Sequence, residues 1–279
     1  MATHPLPGRI RASLAIAAVA CTTLVGIPIQ MLAVKTGFPP PGLIPRLWHR
    51  MALKLLGIRV HVHGRPEQAR PLMIVANHVS WSDICVLGAI AELSFVAKSD
   101  MAGWPLFGLL AKLQRTVFVE RERRRKSGEQ ASALARRLEA GDVMVLFAEG
   151  TTSDGNVMLP FKSTLFGAAQ HALGNGDGLE RVVIQPVTIA YTRLHGMPMG
   201  RQHRPHAAWI GDSDLVPHIG SLITEGGMDA EVHFGEPIAF EPGGDRKRIS
   251  RAAEEQIRRK LADVLRNPAP SKHAGSTSR

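Results

Sequence analysis

Residues 77 to 83 read Asn-His-Val-Ser-Trp-Ser-Asp and close an apolar run, Pro-Leu-Met-Ile-Val-Ala. Seven positions carry an amide, an imidazole, two hydroxyls, an indole and a carboxylate. On one continuous helix His78 and Asp83 would point about 140° apart and share no face. With His78 in a turn after a strand and Asp83 in the first turn of the next helix, the carboxylate folds back on the imidazole. It then accepts a hydrogen bond from one ring nitrogen, fixes the tautomer and leaves the other nitrogen as a general base. A helix cap within a hydrogen-bond network is the competing account, and the pair alone does not decide between them.

A nucleophile belonging to the chain is hard to find. There is no G-x-S-x-G elbow, and Cys85 has no recognisable partner arrangement. A base without a nucleophile suits direct transfer, in which a substrate hydroxyl attacks an acyl donor. Three further stretches lie at the ends of strand-like runs. "TVFVERERRRK" delivers Arg121, whose forked guanidinium suits an anionic headgroup. The arginines after it read as a solvated or membrane-facing basic run. "LFAEGTTSDG" delivers Glu149 and Gly150, where a carboxylate and turn amides could position an acceptor hydroxyl, although such a composition is by default simply a turn. "VIQPVTIAY" carries Pro186 inside a strand-like run, which predicts an edge, a bulge or a bend beside a pocket.

The elements that must hold these residues alternate. Short β-like runs from "IRVHVHG" onward are interleaved with helical stretches such as "SGEQASALARRLEAG". That order predicts an α/β domain with a largely parallel central sheet covered by helices, its catalytic groups at the carboxyl ends of strands. Ahead of it, residues 12 to 34 carry no charge and as a helix would measure roughly 34 Å, about a bilayer's hydrocarbon core. Gly26 and Pro28 are possible breaks, so a span and a shallow bent insertion both remain open. The next stretch, "LIPRLWHRMALKLLG", sets Arg46, Arg50 and Lys54 on one helical face and Leu43, Leu47, Trp48, Met51 and Leu55 on the other, the pattern of an interfacial basic helix. The organisation expected is membrane-associating helices over 1–57, a catalytic domain over 58–266 and a disordered tail over 267–279.

A formal net charge of +10 points to an anionic partner, nucleic acid or lipid. Aromatics at 5%, with Tyr191 the single tyrosine, provide few stacking platforms for single-stranded nucleic acid, which favours the membrane. Two cysteines without a C-x-x-C argue against a disulfide scaffold or structural zinc and for a cytosol-facing domain.

In this order the four stretches resemble the glycerolipid acyltransferase family, best known through 1-acyl-sn-glycerol-3-phosphate acyltransferases, over roughly residues 58 to 240. The resemblance implies that Asn77, His78, Ser80 and Asp83 form the catalytic motif, with His78 as base and Asp83 as its orienter. It implies that Arg121, Glu149, Gly150 and Thr151 line the acceptor site and that Pro186 lies near the acyl pocket. Lys98 stands where the family often has a lysine. Three departures bear on the acceptor. Ala148 stands where the family usually has a proline. Thr152 replaces an arginine thought to help hold a phosphate, and Arg115 stands where a glycine is common. The wording "EGTTSDGN...LPFKS" is similar to bacterial enzymes that acylate lyso-ornithine lipid, an acceptor with no phosphate.

The resulting expectation is a lysolipid O-acyltransferase of the 1-acyl-sn-glycerol-3-phosphate type, with lyso-ornithine lipid as the alternative acceptor, at the cytoplasmic (inner) membrane with its active site facing the cytoplasm. Its donor is acyl-CoA or acyl carrier protein, its partners are membrane lipids and a lysolipid, and no metal, redox cofactor or nucleic acid is implied. Backbone amides of the 77–83 turn are expected to stabilise the oxyanion. A non-catalytic membrane-binding module and a lipid hydrolase are the rivals from other classes.

Overall fold

Runs that are apolar at every position become central strands, and runs with a 3.6 period become the helices that cover them. The computed structural model describes residues 6–119, 127–174, 179–211 and 213–268. The first half of the chain forms α1 (Leu6–Thr36), α2 (Leu43–Leu56), β1 (Ile58–His63), β2 (Leu72–Ala76), α3 (Ser82–Ile90), β3 (Ser94–Lys98), α4 (Phe107–Leu113), β4 (Val117–Val119) and α5 (Ser127–Glu139). The second half adds β5 (Met144–Phe147), α6 (Gly167–Gly174), β6 (Val182–Leu194), β7 (Met197–Pro198), α7 (Leu215–Glu225), β8 (Met228–Phe234), β9 (Ile238–Phe240) and α8 (Arg246–Arg266).

The described strands form one sheet in the order β1-β8-β6-β2-β5-β3-β4, with β7 and β9 also pairing β6. Along that path every neighbouring pair is parallel except β6–β8. The sheet is therefore largely parallel, as expected, but β1 and β8, like the short β7 and β9, run against the other five. Helices α2, α3 and α7 pack on one face through Leu53, Val86 and Leu222. Helices α5, α6 and α8 pack on the other through Leu138, Ala169 and Ile257.

Pro186 lies inside β6 at the place where its neighbour changes. Residues 182–184 pair with β9 and those from Val187 onward with β8, so the missing N–H interrupts neither ladder. The Pro186 carbonyl accepts from the Gly235 amide at 2.8 Å.

Helix α1 runs unbroken through Gly26 and Pro28, beyond both ends of the 12–34 segment. It is not a detached anchor. Gln30 Nε2 donates to the carbonyls of Pro41 and Leu113 at 2.8 Å each, and Trp48 Nε1 donates to Thr23 Oγ1 at 2.8 Å. A boundary at residue 57 thus divides the chain but not the packing. The outer face of α1 exposes Leu14, Ile16, Leu24, Val25, Met31 and Leu32. In α2 the expected faces are only partly kept. Leu43 and Leu47 are exposed, while His49, Ala52, Leu53 and Leu56 are buried. Its close approach to α3 needs Gly88, where a Cβ would lie 2.4 Å from the His49 ring. Of the expected tail, residues 269–279 lie outside the described residues.

Candidate active site

Strand β2 sits between β6 and β5, with Ala76 in register with Val187 on one side and Phe147 on the other. The turns after β2 and β5 therefore emerge at the same level of the sheet. Asn77 carries the β2–β6 pairing one step further through its side chain. Its Nδ2 donates to Ile189 O and its Oδ1 accepts from Ile189 N, each at 2.8 Å. The chain then leaves the sheet at His78.

Asp83 is fully buried in the first turn of α3. Its Oδ2 accepts from His78 Nδ1 at 2.9 Å, from Val79 N at 2.7 Å and from Ser80 N at 2.9 Å. Its Oδ1 accepts from Tyr191 Oη at 2.9 Å, and Tyr191 Oη lies 2.6 Å from Ser82 Oγ. Because a carboxylate only accepts, Nδ1 carries the proton and Nε2 is left as the basic nitrogen. The His78 ring lies flat on Phe147, centroids 3.9 Å apart, and keeps 17% of its side-chain surface exposed.

Glu149 turns inward. Its Oε1 accepts from the His78 amide and its Oε2 from the Leu159 amide, both at 2.7 Å. Burial pushes the carboxyl up to about 7, against the two amides, which pull it down. The side chain expected to meet the acceptor is instead the fixture that holds the base's backbone. The oxyanion expectation needs the same correction: the amides of His78, Val79 and Ser80 already donate to carboxylates.

Gly150 adopts φ +75°, which reverses the chain after Glu149 and leaves Thr151 exposed. Ser153 returns to the His78 carbonyl through its amide at 2.8 Å and its hydroxyl at 3.1 Å. Thr152 Oγ1 donates to the carbonyl of Trp209, whose own amide donates to Val79 O at 3.0 Å. Ser80 is buried, with no hydrogen-bond partner for its hydroxyl.

Lys98 ends β3 beside Val119, its ammonium 2.7 Å from Asp100. Arg121, with the rest of the basic run to residue 126, lies outside the described residues. Arg115 is not near His78's edge of the sheet. It precedes β4 at φ +61°, a conformation that suits glycine, and its Nη2 donates to Asp142 Oδ2 at 3.1 Å just ahead of β5. The cation gained there serves an ion pair at the strands' amino ends, not a headgroup at their carboxyl ends.

An apolar cavity opens beside the turn, lined there by Trp81 and Ile84. Its walls are Gly26 and Ile27 of α1, Trp48 of α2, Ile84 and Cys85 of α3, Phe95, Trp104, Leu110 of α4 and Trp209. Phe95 stacks on Phe147, which stacks on His78, so an aromatic wall runs from the base to the cavity. Cys85 is no nucleophile: burial, then the charge of Asp83, pushes its thiol up to about 12. His49, at the cavity's edge, is held neutral because burial lowers it to about 4. Pro186 does not line this cavity.

The geometry thus assembles His78, Asp83, Asn77, Glu149 and Gly150 around one turn. Tyr191, Phe147 and Trp209 join them without having been singled out for a role. Tyr191 did leave a signal, since a hydroxyl within a buried strand run must find a partner.

Comparison with known proteins gives a consistent result. A family model described as Acyltransferase matches residues 58–190. Lyso-ornithine lipid O-acyltransferase of Rhizobium meliloti (strain 1021) is 49% identical over 254 residues, 91% of this chain and 86% of that one. Its namesake in Brucella abortus (strain 2308) is 49% identical over 258 residues, 92% and 96% of the two chains. A 1-acyl-sn-glycerol-3-phosphate acyltransferase of Neisseria meningitidis serogroup B is 38% identical over 216 residues, 77% and 79% of the chains. The crystal structure of the 1-acyl-sn-glycerophosphate acyltransferase PlsC from Thermotoga maritima shares the fold, with TM-score 0.60 at 20% identity over 94% of this chain and 99% of that one.

Proposed function

Since the chain belongs to the acyltransferase family and is a lysolipid O-acyltransferase, we propose that its acceptor is lyso-ornithine lipid and that His78 is the general base. The observation that carries the mechanism is the 2.9 Å contact between His78 Nδ1 and a buried Asp83, in the turn whose Trp81 and Ile84 line an apolar cavity. Nε2 removes the proton from the acceptor hydroxyl as its oxygen attacks the thioester carbonyl. Asp83 stabilises the imidazolium, which then protonates the departing thiolate. The fatty chain lies in the cavity, whose lining is apolar. The donor is acyl-CoA or acyl carrier protein. Acyl transfer moves neither hydride nor electrons, and the proposed mechanism uses no cofactor.

Two observations support the acceptor: the 49% identity to lyso-ornithine lipid enzymes over most of the chain, and Thr152, whose hydroxyl is engaged by Trp209 where the resembling family carries an arginine. The apolar outer face of α1 supports a seat in the cytoplasmic membrane, with the catalytic turn on the cytoplasmic side where acyl thioesters are made. The test offers purified protein lyso-ornithine lipid and lysophosphatidate with one acyl thioester. Preference for the first is expected. Faster use of lysophosphatidate overturns the acceptor, and fatty acid release without either acceptor points to a hydrolase.

A further inference from the structure

Two of the reversed strands, β1 and β8, carry a second group of chemically capable side chains. In β1, Arg59, His61 and His63 alternate with Ile58, Val60 and Val62, and in β8, Asp229, Glu231 and His233 alternate with Met228, Ala230 and Val232. The strands are parallel and in register, His63 opposite His233, so the six polar residues form one ladder. Met228, Ala230 and Val232 belong to the core under α3, which places the ladder on the opposite face, the one that α8 covers.

The ladder divides in two. At one end Asp229 is satisfied by Arg59, with Nε at 2.7 Å and Nη2 at 3.2 Å, and by His61 at 3.1 Å. The other end is built on Glu231. Glu231 Oε2 lies 3.3 Å from His63 Nε2 and 3.3 Å from His233 Nε2, and the three atoms lie within 4.8 Å of one another. The imidazoles stack at 4.1 Å and 3°, so their Nε2 lone pairs lie in parallel planes, and the half-exposed His63 ring must turn for both to meet one ion. His63 Nε2 is buried yet makes no hydrogen bond, although its side chain is 41% exposed. Glu231 itself is buried, and its other oxygen accepts from Thr192 Oγ1 at 3.1 Å.

The two oxygen–nitrogen distances are those of a coordination shell. Ligand atoms held about 2.0–2.1 Å from a tetrahedral zinc ion lie roughly 3.3–3.4 Å apart. Two imidazoles and a carboxylate suit a borderline ion, and a hydroxyl fixing the second carboxylate oxygen is the usual outer support. We propose that His63, Glu231 and His233 bind one Zn²⁺, with water completing the tetrahedron on the exposed side of His63. The ion would fasten β1, the edge strand that continues from α2, to β8. The site lies across the sheet from His78 and does not depend on the transfer chemistry proposed above.

The test uses the tag-free full chain in detergent, stripped with a chelator and titrated with ZnCl₂ in a calorimeter. One ion per chain is expected at micromolar affinity or tighter, with Tm raised by about 5–10 °C at a hundredfold excess over Kd. His63→Ala and His233→Ala should each weaken binding at least about 100-fold, whereas His61→Ala, on the same ladder, should leave it unchanged. His63 is exposed enough that its truncation leaves the fold intact. No stoichiometric binding, binding indifferent to His63 and His233, or equal loss in His61→Ala overturns the site.

Discussion

Asp83→Asn isolates the charge from the shape of the catalytic turn. Three N–H donors converge on Oδ2, from His78, Val79 and Ser80, and only Tyr191 reaches Oδ1. An asparagine must therefore turn its oxygen towards the three donors. Its amino group then faces Tyr191 Oη, which can accept from it and donate to Ser82 instead. The network survives with its geometry, and weaker neutral bonds cost about 1–3 kcal/mol of stability. What disappears is the negative charge beside Nδ1. At an effective dielectric of about 20, a pair some 3–4 Å apart interacts by roughly 4–6 kcal/mol, felt only when His78 becomes imidazolium. The expected loss in kcat is thus about 10³- to 10⁴-fold with little change in acceptor KM. Single-turnover transfer from an acyl thioester in mixed micelles measures it. A variant that folds, binds acceptor normally and turns over within tenfold of the parent would refute the electrostatic role of Asp83.

Three further outcomes are expected. His78→Ala should abolish transfer while circular dichroism and vesicle flotation stay those of the parent; residual turnover near the parental rate would remove the base. Glu149 binds its proton up to about 7 in the folded chain, against an ordinary value of 4.5, so its contribution to stability is fully present below about 4.5 and lost as pH rises through 7. Glu149→Gln should erase that slope in denaturant midpoints, and its single acceptor oxygen leaves the His78 or Leu159 amide unpaired, at about 1–3 kcal/mol. Ala111→Phe should shorten the preferred acyl chain by filling the cavity, with each excluded methylene costing about 0.8 kcal/mol, roughly fourfold in competition between thioesters.

Local signals carried much of this architecture. The fully apolar runs of β2 and β5 and the polar turn at residues 77–83 are short-range features, and they fold as their patterns read. The reversed direction of β1 and β8 was not legible, because it is set where β8 lies antiparallel to β6, 34 to 47 positions earlier, and reaches β1 from a partner 170 positions away. Glu149 was misread for a related reason. Its carboxylate was visible, but whether it faces solvent or the His78 amide depends on the register of β2 against β5. Arg115 shows the limit of residue type: its charge suggested a ligand contact, while its left-handed backbone and Asp142 place it in an ion pair. Tyr191 lay in plain view as the lone tyrosine, yet its partner on α3 stands 108 positions earlier.

The chamber beside His78 is bounded on one side by Gly26 and Ile27. A soluble version trimmed of its first helix would keep the base, the carboxylate and the whole sheet, and still be a different catalyst. It would have lost a wall of the gauge that measures its cargo, so any indifference to chain length in such a fragment would report the missing helix and not the native enzyme.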